Sequence, residues 1–132
     1  MKAYTDLEQS KKLIEILPIY SADMHYATWT ILDGEFIVSP NQGSTIENLQ
    51  EDYGYQIIPC WSLAALLGVL PKEVEIEGQH YVPCLFPVQN KWLLKLWYNS
   101  NYTITSPVAI FSDNPIDACY EMILKLHKQK LL

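Results

Sequence analysis

Ile116, Cys119, Met122, Ile123 and Leu126 recur at three- and four-residue steps and draw one apolar stripe along a helix. Asn114 is placed to cap that helix, and Pro115 takes its first position, where a missing N–H costs nothing. Asp117 then meets the positive end of the dipole, with Lys125, Lys128 and Lys130 near the negative end. A second helical pattern runs from Asp6 to Leu17, with Leu7, Leu13, Ile14, Ile16 and Leu17 as its apolar residues. Thr5 and Glu8 are read as its capping box, Glu8 and Lys12 as a charge pair, and Pro18 as its stop. The third helix, Leu63 to Leu70, is apolar nearly all round, which predicts burial on several sides. Ser62 is its expected cap, Trp61 and Leu66 its hydrophobic staple, and Pro71 its end.

Between Glu73 and Tyr98 the period shortens to two. Glu73–Glu77, Gln79–Phe86 and Lys91–Tyr98 read as strands joined at Gly78 and at Gln89-Asn90, with Tyr102–Ile104 and Val108–Phe111 as a fourth and fifth. Connections this short make neighbours antiparallel. In the third strand Trp92, Leu94, Leu96 and Tyr98 share the face expected to meet Ile123 and Leu126, while Lys91, Leu93, Lys95 and Trp97 point the other way. Asp33-Gly34 between Trp29–Leu32 and Glu35–Val38 predicts a further hairpin, preceded by a short turn over Ser21–Tyr26. Ser39 to Gly54 is polar and reads as a long loop. These elements predict one α+β domain over residues 1–132. Its antiparallel sheet has three to five strands, with the C-terminal helix and the central apolar helix packed on one face.

A chain of 132 residues with 49% hydrophobic and 18% charged residues belongs among globular proteins. Its formal net charge of −6 opposes a phosphate backbone, so no nucleic-acid partner is expected. No apolar run approaches the ~18 residues of a membrane span, and no signal-peptide pattern opens the chain. Three distant cysteines, Cys60, Cys84 and Cys119, do not form a secreted disulfide framework. The expectation is a cytoplasmic protein without a membrane partner.

Candidate chemistry is sparse. There is no Cys-x-x-Cys or His-x-x-x-His pair to start a metal site, no Gly-rich phosphate loop and no Gly-x-Ser-x-Gly elbow. No metal, cofactor or catalytic residue is therefore predicted. Cys60 precedes the Leu63 helix, where a helix dipole can lower a thiol's pKa, which makes it the best reactive-thiol candidate. His80 shares a strand face with Val82, Cys84 and Phe86, on the core side or at the sheet edge, and Glu75 or Glu77 is its expected carboxylate partner across the strands. His25 falls in an aromatic stretch that the pattern does not place, and His127 lies near a helix C-terminus. Four Trp and nine Tyr are many for this length. Trp97, Leu93, Trp29, Tyr26, Tyr53 and Tyr55 exceed what the predicted core can hold: either the first half of the chain folds over the sheet and covers them, or they mark a candidate interaction surface.

Ile58-Pro59-Cys60-Trp61-Ser62-Leu63-Ala64-Ala65-Leu66-Leu67, then Leu70-Pro71-Lys72-Glu73-Val74-Glu75-Ile76-Glu77-Gly78, and Asp113-Asn114-Pro115-Ile116-Asp117-Ala118-Cys119-Tyr120-Glu121-Met122 together resemble a set of small proteins of phages and mobile elements of gut Bacteroidales. The resemblance spans the second half of the chain and, more loosely, the first seventeen residues. It implies a bacterial cytoplasm and a prophage setting and brings no activity with it. The function expected from all of this is a non-enzymatic accessory protein working through contacts with a protein partner or a second copy. The alternative is a small enzyme or ligand-binding domain with an aromatic-lined pocket near Cys60 or His80.

Overall fold

The computed structural model describes residues 2–29, 37–41, 55–98 and 107–132. The chain has the α+β composition that the sequence predicts, built on two antiparallel sheets. It divides into two compact units, Ala3–Ala65 and Leu66–Leu132, the second joined by Lys2.

In the first unit, helix α1 spans Leu7–Ile14 and is followed by a 3-10 turn at Ile19–Ser21. The capping box is closed one residue later than the sequence reading had it. Asp6 caps the helix by accepting from the Gln9 N–H at 2.8 Å, and Gln9 Oε1 accepts from the Asp6 N–H at 3.1 Å. Thr5 is withdrawn from that role because it is fully buried, where its hydroxyl lies 2.8 Å from Ser10 Oγ. Lys12 reaches Glu15 rather than Glu8.

The sheet of this unit has the order β2-β1-β3, with β1 at Met24–Trp29, β2 at Ile37–Pro40 and β3 at Tyr55–Cys60. The expected turn over Ser21–Tyr26 gives way to strand from Met24 onward, because β1 is the central strand and is hydrogen-bonded on both sides. Strands β1 and β2 pair antiparallel but out of the register of the predicted hairpin: Ile37 is opposite Ala27 and Val38 opposite Tyr26, whereas a two-residue Asp33-Gly34 turn would set them against Thr30 and Trp29; that turn lies outside the described residues. Ser39 and Pro40, expected in the long loop, belong to β2, and residues 42–54 of that loop lie outside the described residues. Strand β3 has no counterpart in the sequence reading. Pro59 sits within it, tolerable because β3 is an edge strand.

Polar groups knit this unit together over long separations. The Trp61 N–H donates to Thr5 Oγ1 at 3.1 Å, the Thr5 N–H to Trp61 O at 3.0 Å, and the Trp61 indole N–H to Ser21 Oγ at 2.9 Å. Asn41 donates its side-chain N–H to Ala22 O at 2.9 Å, so its Oδ1 is the acceptor for His25 Nδ1 at 2.7 Å. In that bond Nδ1 of buried His25 is the donor.

Helix α2, Leu63–Val69, crosses the division between the units after Ala65. Ser62 caps it as predicted, accepting from the Ala65 N–H at 3.2 Å. Burial on several sides is not what the structure shows. Leu66 is fully buried, whereas Leu67 is 42% exposed and Ala64 and Gly68 also face outward.

The second unit carries the sheet β4-β5-β6-β7, antiparallel throughout, from Val74–Ile76, Gln79–Val88, Lys91–Tyr98 and Ala109–Ser112. Its first hairpin closes through Glu77 at φ 51° and Gly78 at φ 80°, the two left-handed residues of a type I′ turn. The expected strand Tyr102–Ile104 lies outside the described residues. Helix α3, Pro115–Lys128, lies against β6 and β7. Asn114 caps it as predicted, accepting from the Asp117 N–H at 2.9 Å, and Lys2 pairs with the Asp117 carboxylate at 2.9 Å. The whole predicted stripe from Ile116 to Leu126 is fully buried, as are Leu94 and Leu96 across from it.

Candidate interaction surface

Directly opposed residues in an antiparallel pair share a face, so the register of the second sheet sorts its side chains. Leu94, with Leu85 and Ile110 as its cross-strand neighbours, belongs to the face covered by α3. The other face carries three rows across the strands. Val82 is opposite Trp97; Cys84, Lys95 and Ala109 line up in the next row; Phe86, Leu93 and Phe111 form the third.

This outer face is apolar and open. Trp97 is 44% exposed, Phe111 59% and Val82 36%. Lys95 stands among them with its ammonium 4.2 Å from the centre of the Trp97 ring and 5.6 Å from that of Phe86. Held over both ring faces, the cation is attracted by their quadrupoles and covers the rings with its stem. A sheet with one face on a core usually keeps the other polar, and this one does not.

The structure distributes the other predicted surface residues differently. Leu93 is on the outer face but buried, flanked by Phe86 and Phe111, so it supports the surface rather than forming it. Tyr26 is a correction. It is buried in the first unit, with its hydroxyl donating to Thr5 O at 2.7 Å and its ring meeting Tyr4 edge-on at 6.1 Å. Burial, with lesser contributions from Cys60, Tyr4 and Asp6, pushes its hydroxyl up to about 12. Trp29 and Tyr55 are paired across β1 and β3 in the same unit, described through their backbone, and Tyr53 lies outside the described residues.

Cys60 closes β3 and is fully buried. The expected lowering of its pKa is reversed: burial first, then the charge of Asp23, pushes the thiol up to about 12. A helix dipole acts on a thiolate that water or a cation also supports, and neither reaches this one. His80 is exposed on the outer face, and its carboxylate partner is Glu73 rather than Glu75 or Glu77. Glu77 is taken up by the turn. Among the described residues no group of three His, Cys, Asp or Glu side chains is placed to hold a metal ion, and no helix is long and apolar enough to cross a membrane.

A cleft of about 270 Å³ opens beside β5, lined by Leu67, Leu70, Lys72, Pro83, Leu85 and Leu94 among others. Neither Cys60 nor His80 reaches it, and its walls are aliphatic rather than aromatic. Sequence reasoning missed Val82, Phe86 and Phe111 as members of the outer face. The two-residue turn at Gln89-Asn90 holds the signal for the first two, since it fixes the register that sets Phe86 against Leu93 and Val82 against Trp97. Comparison of the chain with protein-family models, with curated proteins and with solved structures returned no match.

Proposed function

We propose that this chain is a non-enzymatic accessory protein of a bacterial cytoplasm that acts through protein contacts, pairing with a second copy through the outer face of its C-terminal sheet. The observation that carries the reading is the exposure of Trp97, Phe111 and Val82 on one sheet face around Lys95. Tyr and Trp concentrate at interface centres because they bury much area with few rotatable bonds. The same face holds both Lys95 and the exposed Glu75, so two copies of it do not repel as a single-signed surface would.

Size sets the strength of the pairing. Four strands about 4.8 Å apart, with a central strand of eight residues, give a face on the order of 500 Å². That is below the ~800 Å² that each partner contributes to a standard interface, so the dimer is weak and exchanges readily. Light scattering across a dilution series tests it. The apparent mass should fall from dimer toward monomer on dilution, and Trp97→Ala should shift that midpoint to higher concentration while barely changing the denaturant midpoint. A mass that stays monomeric at every concentration overturns the reading.

A further inference from the structure

The long strand β5 has an open edge. Among the described residues its pairing with β4 ends at Tyr81, so Val82 to Val88 face no strand on that side. The hydrogen-bonding direction of each residue there follows from the ladder. The Leu96 N–H donates to Val108 O at 3.1 Å, away from β5, so Leu96 and its partner Pro83 are a non-hydrogen-bonded pair. Residues 83, 85 and 87 therefore turn their backbone groups to the open edge. Two of those three are proline, which offers a carbonyl and no N–H. Leu85 alone presents both a donor and an acceptor.

This pattern excludes one occupant and admits another. Two β5 edges paired antiparallel about Leu85 would set Pro83 against Pro87 and forfeit every bond except the two at Leu85. A foreign extended segment keeps four: two at Leu85, and its own N–H groups donating to Pro83 O and Pro87 O. The residue of that segment opposite Leu85 would point its side chain to the face Leu85 occupies, where the aliphatic cleft lies. Lys72 lines the cleft as its one charged group and is adjacent in sequence to Glu73, one residue before β4, which pairs near Pro83.

The geometry points to strand addition at Leu85 by an extended peptide of a partner protein. Its central residue is aliphatic and fills the cleft, and an acidic residue two positions later meets Lys72. Main-chain bonds supply the affinity, and the cleft with its lysine supplies the specificity. The cleft shares Val82 with the outer face, but the backbone edge at Leu85 is no part of that face, and N-methylation of the peptide tests the edge apart from the pairing of two copies.

The test uses the full chain labelled with ¹⁵N and the capped heptapeptide Thr-Thr-Thr-Leu-Thr-Glu-Thr. Saturable amide shifts are expected at Leu85 and along the cleft. Methylating the peptide nitrogen of its leucine should abolish binding, whereas methylating the threonine before it should leave binding unchanged, because those two N–H groups point in opposite directions. Replacing the peptide glutamate by glutamine should weaken binding about two- to fivefold, as should Lys72→Gln, with no further loss when both are changed. Absence of saturable shifts, or equal binding of the two methylated peptides, overturns the proposal. So does octanoate filling the cleft when the peptide does not bind, since that marks a small-molecule site.

Discussion

The two faces of the C-terminal sheet are built from the same four strands with opposite outcomes. On one, Leu94, Leu96 and Ile110 are sealed under the stripe of α3. On the other, Trp97 and Phe111 stand open beside Lys95. Strand alternation explains the first face and makes the second conspicuous. Residues 91 and 95 of β6 obey the polar-outside rule, while 93 and 97 break it. The apolar area on the outer side is therefore a feature of the surface and not a leftover of the core.

The largest difference between the faces should be energetic. Leu126→Ala removes a fully buried side chain from the covered side and should cost about 2–5 kcal/mol. Phe111→Ala on the open side should cost under about 1 kcal/mol, through its cross-strand contact with Leu93. Urea titration of the two variants checks this, and similar losses in both would erase the distinction.

Alkaline pH probes the sealed interior next. Burial pushes the Cys119 thiol up to about 12, so the folded state keeps a proton that an unfolded thiol releases near 9. The raised value contributes stability that is whole below pH 9 and is lost as the pH climbs toward 12. Cys60 acts over the same window and Tyr26 from about 10 to 12, both raised chiefly by burial. Each group adds a slope approaching about 1.4 kcal/mol per pH unit. Stability measured from pH 8 to 11 should decline, and Cys119→Ala should flatten the decline. An unchanged slope would show that water reaches this thiol.

A smaller effect isolates the turn that sets both faces in register. Gln89 holds φ at 56°, a conformation that glycine adopts without the Cβ penalty. Gln89→Gly should raise stability by about 0.5–1 kcal/mol and leave the dilution behaviour as it was. A loss of stability would mean that the glutamine side chain matters more than its backbone.

The C-terminal unit was largely legible in the sequence because its elements announce themselves locally. Asn114-Pro115 sets one end of α3, the three-and-four spacing sets its buried stripe, and Gly78 and Gln89-Asn90 punctuate the strands. The N-terminal unit was not, because its closure is polar and distant in sequence. Thr5 reads as a cap until Trp61, fifty-six residues away, claims its hydroxyl. Strand β3 hides behind Pro59, which only an edge position permits. Exposure of the outer face was legible at Trp97. The roles of Phe86 and Phe111 needed the strand register, and the second of these follows a connection too long to fix it.

Cys84 offers the most direct test of pairing through the outer face. It lies in the middle row, opposite Lys95, and is the only one of the three thiols not buried. Alkylation of the native protein by iodoacetamide should modify Cys84, with Cys60 and Cys119 left intact. If two copies pair over this face, the rate per molecule should fall as protein concentration rises, and Trp97→Glu should restore the dilute rate at every concentration. A rate independent of concentration in the unaltered protein would contradict the account.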